Sequence, residues 1–106
     1  MPKYLIQANY TLEGGRGVAK EGASGRRAAI EKLVGSMGGK LEAMYYAFGN
    51  TDVFCILDMP DNVSVTAASM AVNLGGGATS RTTVLLTVEE VDAAVKRLPE
   101  YRAPGR

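Results

Sequence analysis

The chain has 106 residues, with 12 basic and 11 acidic side chains, one cysteine, no histidine and no tryptophan. Charge this balanced argues against duplex DNA or an anionic membrane as partner, since either selects a basic stripe. Five tyrosines and two phenylalanines offer little to a stacking platform for single-stranded nucleic acid. Without histidine the usual general base near neutral pH and the commonest metal ligand are gone, and neither a metal nor a cofactor is expected.

A lone cysteine, Cys55, excludes an intrachain disulfide and sits in an apolar run, where a free thiol behaves as a small hydrophobe. The opening "MPKYLIQANY" lacks the layout of a signal peptide, and no run approaches the roughly 20 apolar residues of a membrane helix. These features predict a soluble, cytoplasmic protein.

In chain order, residues 3–10 (KYLIQANY) alternate with the period of a strand. From Thr11 to Met37 the apolar spacing turns helical, but five glycines between positions 14 and 25 weaken the first half. The expectation is a short N-terminal turn, a break, and a firmer helix from about Ser24, which would cap it, ended by Gly38-Gly39. "KLEAMYYAF" (40–48) and "TDVFCILDM" (51–59) read as two strands joined tightly through Gly49-Asn50. Pro60 stops the second of these, and Asp61 or Asn62 starts a helix to about Leu74, closed by Gly75-Gly76-Gly77. A fourth strand covers 79–87, and Thr87 with Glu90 forms a capping box for a last helix with Val88, Val91, Val95 and Leu98 on one face.

The order β-α-β-β-α-β-α predicts an α+β, ferredoxin-like domain: a four-stranded antiparallel sheet with helices on one face, plus a C-terminal helix. The domain is placed at residues 1–98 and a polar tail at 99–106. The third strand is apolar on both sides, with Val53, Cys55 and Leu57 against Phe54 and Ile56, and residues 63–80 carry no charge. Helices cover only one face of such a sheet, so a second copy of the chain is expected on the other. The alternative is that the last helix or the tail covers that face within the same chain.

Several residues are candidates for chemistry. Gly17 and Gly22 have the spacing of a phosphate loop, yet Ala23 stands where the lysine belongs. Lys20 likewise replaces the third glycine of a dinucleotide turn. What survives is a candidate anion site at Arg26 and Arg27, set against plain backbone packing of the glycines. Gln7, Asn9, Arg81 and Thr83, joined by Tyr46 and Glu42, are placed on one sheet face, either as an interface network or as a pocket lining. Asp52 opens the third strand, where securing the hairpin competes with a role as general base. Asp58, roughly 20 Å along the strand, is too far to pair with it.

With "YLIQANYT", "GGKLEAMYYAFGNTDVFCILDMPDN" and "TTVLLTVEEVDAA" in this order, the chain resembles the GYD-domain family over nearly its whole length. Gly49 and Asp52 fit the glycine and aspartate of the family's name, while Thr51 stands where the tyrosine is expected. The resemblance implies a dimeric α+β barrel, two ferredoxin-like sheets facing each other, and no assigned reaction. Members of that wider group include cofactor-free oxygenases, isomerases, haem peroxidases and effector-sensing modules; the haem members hold iron through histidine, which is missing here.

Three readings follow. The first is a self-associating domain with a small-molecule site between sheet and helices. The second is a cofactor-independent isomerase or monooxygenase acting on a small aromatic or carbonyl compound, with Asp52 or Glu42 as base and Arg81 and Tyr46 steadying an oxyanion. The third is an anion- or nucleotide-sensing module at Arg26 and Arg27.

Overall fold

A computed structural model describes the whole chain, Met1–Arg106. Its elements run β1 (Lys3–Tyr10), α1 (Leu12–Ser36), β2 (Lys40–Tyr46), β3 (Val53–Asp58), α2 (Asn62–Leu74), β4 (Ala78–Leu85) and α3 (Val88–Val95). The strands form one antiparallel sheet in the order β2-β3-β1-β4, the interleaved order of a ferredoxin-like arrangement. The core lies between this sheet and α1 and α2. It is built from Tyr4 and Ala8 of β1, Val53, Cys55 and Leu57 of β3, Val34 of α1, Val65 and Ala68 of α2, and Met59. β3 alternates buried and half-buried residues along its length, so Phe54 and Ile56 do face away from the helices.

Local chemistry sets most boundaries. α1 begins two residues earlier than the first glycine: Thr11 caps it by accepting from the Gly14 N–H at 3.1 Å. The expected break falls at Gly22, whose φ of 81° and ψ of 162° interrupt the helix. The segment before it runs from Leu12 to Glu21, more than the single turn expected, because Thr11 also ties it down. The Thr11 hydroxyl donates to the Gly76 carbonyl at 2.9 Å, and its backbone N–H to that of Gly77. Ser24 lies inside the resumed helix rather than at its cap. Gly38 and Gly39 close α1 with paired bonds back to Gly35 and Val34, the Schellman pattern. Asp61 caps α2 and Thr87 with Glu90 boxes the start of α3.

The β2–β3 link is longer than the two residues expected. Residues 47–52 form it, closed by the Ala47 N–H donating to the Asp52 carbonyl at 2.9 Å. Asp52 and Thr51 are drawn inward by bonds to β1 and β4, which lifts Phe48, Gly49 and Asn50 into a protruding tip with a fully exposed Phe48 ring.

α3 does not cover the open sheet face. It buries none of its residues, and Val88, Val91, Val95 and Leu98 are all exposed. The cis-covering alternative therefore fails for this helix. With α3 and the tail extended, the Cα radius of gyration is 17.0 Å, against about 13 Å for a globular chain of this length.

Candidate functional site

The residues singled out from the sequence divide between the two faces of the sheet. On the open face, antiparallel pairing sets Tyr45, Phe54, Gln7 and Arg81 in one row and Ala43, Ile56, Leu5 and Thr83 in the next. Asn9 and Arg81 form a small network at one end. Arg81 donates to the Thr51 hydroxyl at 2.9 Å and to the Asn9 amide oxygen at 3.3 Å, while Asn9 donates to the Asn50 carbonyl at 2.8 Å. Thr51 is the chain's one buried polar residue, satisfied by Arg81. Thr83 is exposed beside Leu5.

Tyr46 is not with them. A bulge between Leu41 and Ala43 shifts the register of β2, so Tyr46 pairs opposite the core residue Val53 and faces the helix side. There it stacks on Tyr10, with ring centroids 6.4 Å apart and hydroxyls 3.3 Å apart. Burial first, then the bond to Tyr46, holds the Tyr10 phenol well above its usual range. Glu42, at the bulge, pairs with Lys3 at 3.1 Å, and Lys3 also reaches Asp58 at 2.8 Å. Asp52 accepts the Tyr10 backbone N–H at 2.9 Å and donates its own N–H to the Ala8 carbonyl. Both carboxylates named as bases are thus engaged in holding strands.

The helix side carries a space between sheet and helices, where the first reading sets its small molecule, but with a lining the sequence did not announce. α1 lies chiefly over β2 and α2 over β4, and the two helices part above the middle of the sheet, whose core residues they still bury. Beneath that gap is an apolar cavity of about 70 Å³, walled by Ile6, Ala8, Val53, Cys55, Ile30 and Ala68 among others, and it opens into a cleft of about 430 Å³ between the helices. One end of the cleft is sealed where Gly14 meets the Gly77 backbone. Ionised groups around its mouth are Glu13, Glu21 and Arg26. Arg27, by contrast, is exposed and lines neither the cavity nor the cleft. Small side chains at Ala8, Cys55, Ala68 and Ala78 make the space, and their recurrence on facing elements is the signal that would have located it.

The Cys55 thiol is part of the cavity wall, and burial pushes its pKa up to about 11. The chain brings together no three Cys, Asp or Glu side chains able to hold a metal ion, and no helix is long and apolar enough to cross a membrane.

Sheet order, helix placement and the cleft define a ferredoxin-like α+β protein. The sequence model of the GYD domain matches residues 4–95, and the chain belongs to the GYD-domain family, one of unassigned function. No curated protein and no solved structure gives a match.

Proposed function

We propose that the chain works as a homodimer or larger homo-oligomer, joined through its open sheet face, and that each copy holds a small molecule between sheet and helices. The observation that carries the reading is the small apolar cavity continued by a larger, half-polar cleft between α1 and α2, whose combined size falls in the range of small-molecule sites. Self-association draws on the other face, where Leu5, Ala43, Tyr45, Phe54 and Ile56 form a contiguous apolar patch bordered by Gln7, Arg81 and Thr83. A patch of that kind with a polar rim is the mark of a protein interface, and a twofold contact lets one surface serve both copies. In such a contact the Asn9–Arg81–Thr51 network would stand at the rim and fix register.

The isomerase or monooxygenase reading is not favoured, because Asp52 and Glu42 are committed to Tyr10 and Lys3 rather than to the cleft. Native mass spectrometry of the purified protein tests the proposal. The expected spectrum is a dimer or larger species carrying extra mass that is shed on denaturation. A bare single chain at micromolar concentration, unable to take up any apolar compound, would overturn it.

A further inference from the structure

Resting on the small-molecule reading above, we infer that the ligand is an apolar monocarboxylate, its hydrocarbon body filling the cavity and the apolar part of the cleft, its carboxylate on Arg26. Of the ionised groups at the mouth, Arg26 alone also lines the apolar cavity beneath; Glu13 and Glu21 line the outer cleft only. The Arg26 side chain as a whole is about two-thirds buried, and its nearest opposing charge, Glu21, is 3.7 Å away, beyond hydrogen-bond distance. Arg26 bears on the Tyr10 hydroxyl as well as on Glu21, but no carboxylate holds it in the paired bonds that its planar donors suit.

Glu21 immediately precedes the helix break at Gly22, and Arg26 follows it by four residues, so the pair spans the kink. A ligand carboxylate displaces Glu21 from Arg26 instead of adding to it. The Tyr10 hydroxyl, on the same wall and already bonded to Tyr46, supplies a neighbouring polar contact. The body of the ligand meets Ile6, Ala8, Ile30 and Ala68, and the two serines on the wall, Ser69 and Ser80, spend their hydroxyls on Thr82 and Asn73, so the head sets polarity.

Decanoate and decan-1-ol serve as probes, with binding followed by calorimetry and by the NMR methyl signals of Ala8 and Ala68. Decanoate is expected to bind one per chain, at least about tenfold tighter than the alcohol, and to shift both methyl signals. Arg26→Gln should remove that preference and leave the alcohol unchanged, whereas Glu21→Gln should tighten decanoate several-fold. If alcohol and acid bind alike, or if Arg26→Gln leaves decanoate untouched, the carboxylate assignment is wrong while the cleft remains a site. If neither compound binds or moves those methyls, the small-molecule reading falls with it.

Discussion

The Asp52 carboxylate accepts the backbone N–H of Tyr10 at 2.9 Å, taking the place of a strand partner where the β1–β3 ladder ends at Val53. An acid at the mouth of an apolar strand is thereby explained without chemistry. Its backbone bonds Ala8 on one side and Ala47 on the other, so three segments meet at one residue. Asp52→Ala leaves a partly buried N–H unpaired and should destabilise the fold by about 1–3 kcal/mol. Asp52→Asn keeps an acceptor oxygen and should lose less than half as much. Urea denaturation compares them; an alanine variant as stable as the parent would mean the bond is ornamental.

Gly14 and Gly77 touch where α1 leaves β1, and a Cβ on Gly14 would sit against the Gly77 carbonyl, 2.6 Å from its carbon. The obstacle is backbone already held by Thr11, which cannot swing aside as a side chain would. Gly14→Ala should therefore cost about 1–3 kcal/mol. Gly15, one residue on, has nothing within 4 Å of its Cβ position. Gly15→Ala should stabilise α1 by up to about 1 kcal/mol through helix propensity. Opposite signs at adjacent glycines, read from thermal melts, are the outcome that separates close packing from general flexibility.

What was legible beforehand was local. The capping box at Thr87–Glu90, the Asp61 cap, the stop at Gly38-Gly39 and the two-sided apolar character of β3 each depend on residues a few positions apart, and the structure has them all. What was missed depends on distant partners. The bulge at Glu42 breaks strict alternation and sends Tyr46 to the opposite face from Gln7. The link to β3 is long because Thr51 is bonded by Arg81, thirty positions away. The cleft is a matter of where α1 lands over β2, which no run of residues encodes by itself.

Burial raises the Cys55 thiol to about 11. The folded protein keeps the proton while the unfolded chain, titrating near 8.5, releases it, so stability falls as pH rises from about 8.5 toward 11. The full effect is on the order of 3 kcal/mol, and Cys55→Ala should flatten that part of the profile even though removal of the thiol shifts the whole curve. Alkylation at pH 8 should be slow in the folded protein and rapid in urea. Equal rates in both would contradict the buried thiol.

α3 has eight residues, a length that is marginal for a helix by itself in water, and it buries none of them against the rest of the chain. Its capping box secures the first turn, yet Val88, Val91 and Val95 remain exposed in a row. In the proposed assembly a second surface is available to cover that stripe, which no element of its own chain buries. Val91→Lys combined with Val95→Lys should leave the denaturation midpoint of the dilute single chain unchanged, because no contact within the body is lost. At higher concentration the same pair should move the sedimentation profile toward the single chain. A lowered midpoint at high dilution would instead show α3 packed on its own body, and unaltered sedimentation would remove the arm from the contact between copies.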